Sequence, residues 1–267
     1  MKAYLAVFRM RFIGSLQYRA AAFAGLVTQF AWGFLLLLGY QAFYRADAAA
    51  FPMSLEQLAA YVWLQQAFLA LYMTWFVDGD IVDALSSGDI AYDLARPVDL
   101  YWRWFAQSSA NRLARALLRC APTLLVAFFL PAPFRLPLPQ SLWHLLAFAL
   151  STAMSLGIAT ALLMVIYTSG IRTLSIAGIR TLAQPLVDLL AGAIIPLPFF
   201  PAGIQQIVQL LPFAALQNLP LRLYSGHIWG QAAWQGLMLQ CFWLVALSAL
   251  GHVLMHRALR RVVVQGG

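Results

Sequence analysis

Lysine is almost missing from this chain of 267 residues: of its 17 basic residues only Lys2 is a lysine. A phosphate-binding loop of the form G-x-x-x-x-G-K-[ST] needs a lysine to reach the terminal phosphates. Nucleotide hydrolysis of that type is therefore excluded here, and any energy from it must come from a partner. Charge of either sign is scarce, at 10% of residues against about 25% in an average soluble domain, which excludes an ordinary water-soluble fold. The two cysteines, Cys120 and Cys241, are far apart and form no C-x-x-C; they read as small apolar fillers. There is no H-E-x-x-H and no G-x-S-x-G, and the serines at 151, 155, 169 and 175 have no base signalled near them. His252 and His256 stand at i, i+4 with no carboxylate close in sequence, so they are expected to be solvated residues at the end of a helix.

What is abundant is apolar: 63% of residues are hydrophobic. A helix crossing the hydrocarbon layer needs about 20 such residues, and the windows between charges predict six spans, at about 21–43, 58–77, 112–131, 142–167, 180–200 and 233–254. The third requires Arg112, Arg115 and Arg119 to snorkel towards the headgroups. The expected fold is thus an all-α polytopic membrane protein. If the N-terminus is inside, all basic residues except Arg45, Arg135 and Arg222 fall on the cytoplasmic side, as the positive-inside rule asks. Both termini are then cytoplasmic. The net charge of +8 is spread along the membrane edge in this way, which excludes a nucleic-acid groove. Arg9 and Arg11 interrupt what would have to be the core of a signal peptide. Residues 1–20 instead predict an interfacial helix with Leu5, Phe8, Phe12 and Leu16 on one face.

Two features break the pattern. In the fifth predicted span Asp188 is a lone carboxylate at membrane depth, costly unless it meets a partner or a cavity. It is open to two readings, structural pairing with Gln184 at i, i+4 or contact with a transported substrate. The prolines Pro196, Pro198 and Pro201 that follow release backbone hydrogen bonds that lipid cannot satisfy, so this stretch must pack in protein or line a cavity. The next helix is expected to carry Ile204, Ile207, Val208 and Leu211 on one face, with Gln205, Gln206 and Gln209 turned away.

The second feature is the cytoplasmic loop 78–111. Asp78, Asp80, Asp83, Asp89, Asp93 and Asp99 are opposed between 78 and 99 only by Arg96. Ser86 and Asp89 suggest a weak capping box, and Pro97 forbids helix beyond Arg96, leaving about two turns. On them Ile90 and Leu94 make an apolar pair and Asp89 and Asp93 a like-charged pair, too weak to stand alone. Either the loop folds on its own Arg103, Arg112 and the lipid headgroups with Asp99 capping the next helix, or Ile90 and Leu94 enter a hollow of a cytoplasmic protein. Anionic headgroups would repel so acidic a loop, which favours the protein.

The run G-D-I-A-Y-D-L-A-R-P at 88–97 resembles the signature that precedes the third span of ABC-2 type permeases, the six-span membrane subunits of bacterial ATP-binding-cassette exporters. I-P-L-P-F-F-P-A-G-I-Q-Q-I-V-Q-L-L-P-F at 195–213 is similar to that family's segment of short re-entrant external helices between spans five and six. The resemblance implies a single permease domain over 1–267, multi-pass in the bacterial inner membrane, with the external segment at 201–231. It implies that Gly88, Asp89, Ile90, Tyr92, Asp93 and Leu94 form a coupling helix ended by Arg96 and Pro97. That helix would dock on an ABC ATPase subunit present in two copies, which holds ATP and Mg; the chain itself would carry no cofactor and perform no catalysis. A second permease, identical or sister, would complete the export path. Asp188 and Gln184 match no feature of the family and are candidate path residues on their own account, while Pro196, Pro198, Phe199, Phe200 and Pro201 are open to two readings, an external gate or a plain plug against the lipid. The alternative is a membrane scaffold or accessory subunit with no path of its own.

Overall fold

The computed structural model describes residues 1–17, 19–74, 76–173 and 176–260, and among these it is helical without strands. Arg261 and Ser175 lie outside the described residues, as do the side chains of Arg19 and Arg172. The helices are α1 (Lys2–Leu16), α2 (Arg19–Ala46), α3 (Leu55–Ala67), α4 (Leu69–Tyr72), α5 (Gly79–Ser87), α6 (Ile90–Leu94), α7 (Leu100–Phe129), α8 (Leu142–Thr173), α9 (Ala177–Leu190), α10 (Ala202–Leu210), α11 (Asn218–Tyr224) and α12 (Gly230–Leu259).

Among the described residues three helices are long and apolar enough to cross a membrane: Gly25–Ala46 in α2, Leu142–Ile171 in α8 and Gly230–Leu259. They fall on three of the six predicted spans and run further, because α8 and α12 reach 32 and 30 residues. The long α7 is diluted by Arg103, Arg112, Arg115 and Arg119. The predicted spans at 58–77 and 180–200 are broken instead of continuous. Their helices α3 and α9 have 13 and 14 residues, about 20 Å each at 1.5 Å per residue.

The break after α3 is a correction with a specific cause. No proline or glycine lies between Ala67 and Thr74, yet the helix stops, resumes for one turn and opens out at Met73. The carbonyls freed there are collected by Arg112. Its Nη1 donates to Leu71 O at 3.1 Å and Met73 O at 2.8 Å, and Nη2 donates to Phe76 O at 3.1 Å. Arg112 is 2% exposed, so it does not snorkel; it caps a helix end that would otherwise bury unsatisfied acceptors.

α3 is the buried centre, with Tyr61, Trp63 and Leu64 inaccessible and the Trp63 ring edge-on to Phe34 of α2 at 5.2 Å. α8 and α12 lie close enough that a Cβ on Gly157 would stand 2.5 Å from Leu244, the small-residue contact that brings membrane helices together. Gln240 of α12 secures that seam: its Nε2 donates to Ser151 O and Ala215 O at 2.9 and 2.8 Å, and its Oε1 accepts from Ser151 Oγ at 2.8 Å. Ser151 and Ser155 are thus structural groups between helices.

At one end of the bundle α1 lies along α7. Ser15 Oγ donates to Asn111 Oδ1 at 2.6 Å, and Tyr4 Oη accepts from the Asp99 backbone N–H at 3.1 Å. The end of α12 reaches the same corner, with His256 Nε2 3.0 Å from Asp99 Oδ2. Phe8 and Phe12 stack at 6.0 Å as their spacing predicts. Leu5 departs from that face and is exposed, together with Met10 and Ile13, because the face turned to α7 carries Arg11 and Ser15.

Candidate functional site

The acidic loop builds two helices where the sequence predicted one. Asp78 caps α5, its Oδ1 accepting from the Asp80 N–H at 3.2 Å, and Ile81 and Leu85, four residues apart, drop into a cluster with Tyr101, Trp104 and Tyr167. Gly88 ends α5 at φ 84°, a left-handed conformation that glycine adopts without the Cβ penalty. Ser86 is not a cap: its Oγ donates back to Val82 O at 2.8 Å. The turn is held by Ser87, whose Oγ donates to Asp89 Oδ2 at 2.8 Å. The second helix, α6, has only five residues and ends at Ala95, before Arg96 and Pro97.

The residue pairs of α6 separate. Ile90 is 8% exposed and joins the cluster beneath α5, whereas Leu94 is 38% and Tyr92 73% exposed. Ile90 is therefore occupied by its own chain and unavailable to a partner. The carboxylates divide likewise. Asp93 Oδ1 lies 2.5 Å from Arg103 Nη1, and its Oδ2 accepts from the Trp104 indole N–H at 2.9 Å. Asp89 stays exposed beside Ser87. The outward surface is formed by Gly88, Asp89, Tyr92, Leu94, Arg96 and Pro97, next to a concavity of about 390 Å³ lined by Asp80, Asp83, Asp89, Tyr92 and Arg96.

The neighbouring carboxylates are also tied down. Asp78 is buried, accepting from Gln107 Nε2 at 3.2 Å and from Asn111 Nδ2, while its backbone N–H donates to Tyr167 Oη at 2.8 Å. Burial pushes its carboxyl above the ordinary 3.8, against the opposing pull of Gln107. Asp80 forms an ion pair with Arg11 of α1. Asp99 caps α7 through Oδ1, which accepts from the Trp102 N–H at 3.0 Å. Arg11 and Arg103 thus answer charge that the count within the loop assigned to Arg96 alone.

The second predicted group is remote from this loop. Asp188 is 8% exposed, and among the described residues no hydrogen bond or ion pair reaches its carboxylate, from Gln184 or any other side chain. α9 ends at Leu190, and the carbonyls released beyond it are met by α3: Tyr61 Oη donates to Gly192 O at 2.9 Å and Gln65 Nε2 to Ala193 O at 2.7 Å. Pro196 and Pro198 are buried, Phe200 is half-buried and Pro201 is exposed ahead of α10. Phe199 stacks on Tyr40 at 5.8 Å and meets Phe51 edge-on at 5.2 Å. The proline segment is packed in protein. In α10 the expected apolar face is divided: Val208 points inward and Leu211 is half-buried, Ile204 and Ile207 are 53% and 66% exposed, and of the glutamines Gln205 and Gln209 are half-buried and Gln206 is exposed.

One association was not visible in sequence: Asp99 brings a carboxylate to His252 and His256, with Oδ2 3.4 and 3.0 Å from their Nε2 atoms.

Comparison with known protein families finds that the model described as ABC-2 family transporter protein matches residues 30–266. No curated protein matches the chain.

Proposed function

The chain belongs to the ABC-2 transporter family, and on that premise we propose that it is the permease subunit of a bacterial ATP-binding-cassette exporter. It docks a separate ATPase through the outward face of residues 88–97 and pairs with a second permease, identical or sister, around the export path. The six spans of this reading are α2, α3 with α4, α7, α8, α9 with the turn to Pro201, and α12, both termini lying in the cytoplasm. α1 then rests at the inner leaflet, with Leu5, Met10 and Ile13 turned to lipid. ATP and Mg belong to the two ATPase copies.

The observation that carries this reading is the division of α6 into a fixed and a free side. Ile90 and Asp93 fasten it to Trp104 and Arg103 near the start of α7, while Asp89, Tyr92, Leu94, Arg96 and Pro97 face outward. An exposed tyrosine and leucine with charges at the rim suit a protein interface. Displacement of that face passes directly into α7, which runs on towards the far end of the bundle, so closure of an ATPase pair can rock the helices. Asp188, buried and without a hydrogen-bond partner among the described residues, serves in this reading as a polar point of the path beside Gln184. The Pro196–Pro201 segment with Phe199 and Phe200 serves as its external gate.

The test is co-expression with the ATPase. The double variant Tyr92→Ala/Leu94→Ala should insert and elute as the parent does, yet lose the ATPase and ATP-driven export together. ATPase retained at parental stoichiometry would refute docking through this face. Export that continues in the absence of the chain would identify a scaffold instead.

A further inference from the structure

We propose that Asp99, His252 and His256 form a binding site for a divalent transition-metal ion, Zn²⁺ by preference. Asp99 Oδ2 stands 3.0 Å from His256 Nε2 and 3.4 Å from His252 Nε2, and the two ring nitrogens are 3.1 Å apart. Tetrahedral zinc with bonds of about 2.0–2.2 Å to nitrogen and carboxylate oxygen has ligand-to-ligand edges of about 3.3–3.5 Å. The observed triangle lies within a few tenths of an ångström of those edges. The three atoms converge from elements 153 residues apart at the nearest ligand pair, Asp99 and His252.

Each ligand is aimed by its surroundings. The Oδ1 of Asp99 is taken by the Trp102 N–H of the α7 cap, which directs Oδ2 to the histidines. The His252 ring is edge-on to Tyr101 at 5.5 Å and lies against Trp102 at 6.0 Å. The i, i+4 spacing sets both imidazoles on one face of α12, the arrangement helical histidine pairs use for metals. Protons alone serve the triangle poorly. If both Nε2 atoms donate to Asp99, they face each other at 3.1 Å with no hydrogen bond between them; if one is bare, its contact with the carboxylate is unsatisfied. Two imidazoles with one carboxylate favour zinc-like ions over magnesium or calcium, and the exposed side of His256 leaves a fourth position for water.

A bound ion would staple the end of α12 to the start of α7, directly after the outward segment 92–97. Metal binding itself requires no ATPase, so its outcome is separable from that of the docking reading.

The test is titration of the purified full chain, free of any polyhistidine tag, with Co²⁺ as an absorbing probe followed by displacement with Zn²⁺. One Co²⁺ per chain should bind with the visible absorption of a four-coordinate site, and Zn²⁺ should remove it. His252→Ala, His256→Ala and Asp99→Asn should each weaken binding tenfold or more, since even groups that only orient ligands are worth about 10–100-fold. Asp99→Asn retains a good cap and so separates loss of a ligand from misfolding, with unchanged helical circular dichroism as the control. His144→Ala should leave binding unchanged. Failure of the parent chain to bind at millimolar Co²⁺, or equal affinity in all three ligand variants, would overturn the proposal.

Discussion

Asp93→Ala isolates the fastening of α6. The substitution removes the carboxylate paired with Arg103, whose side chain is 8% exposed, and the acceptor of the Trp104 indole. Asp93 itself is 17% exposed, so the pair is nearly dry. Breaking such a pair from one side costs about 3–5 kcal/mol, and the partial wetting of Asp93 places the value near the lower limit. A five-residue helix cannot persist once released, so the loss should appear as local opening. At about 1.4 kcal/mol per tenfold, backbone amides of α6 and its end, such as that of Ala95, should exchange with deuterium about 100-fold faster than in the parent. Asp93→Asn keeps an acceptor for Trp104 and should fall between, because a neutral hydrogen bond is worth about 0.5–1.5 kcal/mol. Tyr92→Ala, on the free side at 73% exposure, should leave exchange unchanged. Exchange in Asp93→Ala within about threefold of the parent would show that Arg103 and Trp104 do not hold the segment.

Arg112→Met should lower the thermal unfolding midpoint sharply, since the carbonyls of Leu71, Met73 and Phe76 lose their donor at about 1–3 kcal/mol each; an unchanged midpoint would refute the capping role. Asp78 makes stability pH-dependent. Its carboxyl is raised above 3.8 in the folded chain, so the folded state holds the proton more tightly than the unfolded one. The contribution is present below pH 3.8 and is lost as pH rises through the raised value. Asp78→Asn should remove that slope, and parallel pH–midpoint curves for variant and parent would contradict it. Asp188→Asn should change the export rate at equal abundance, whereas a parental rate would assign the carboxylate to packing.

How much of this was legible in sequence depended on whether the cause was local. The windows that became α2, α8 and α12 needed only apolar length. The interruption of the second span did not, because Arg112 captures carbonyls about forty residues away and leaves no proline or glycine as a signal. Ile90 and Leu94 are equivalent by spacing; only the cluster from α5, α7 and α8 decides that Ile90 turns inward. α5 was missed because its aspartates read as loop, although Asp78 as cap and Ile81 with Leu85 at i, i+4 were there to be found. The turning of Val208 inward, away from exposed Ile204 and Ile207, likewise follows from Leu197 and Ala214 beneath it. The histidine pair was seen, but its carboxylate comes from Asp99 at the start of α7, 153 residues before His252, which sequence distance conceals.

The central claim is that the outward side of residues 88–97 meets an ATPase. A photo-reactive phenylalanine analogue placed singly at Tyr92, Leu94 or Ile204 in the assembled, membrane-embedded complex tests it most directly. The account predicts crosslinks to the ATPase from 92 and 94 and none from 204. An assembled complex with no crosslink from either 92 or 94 would contradict it.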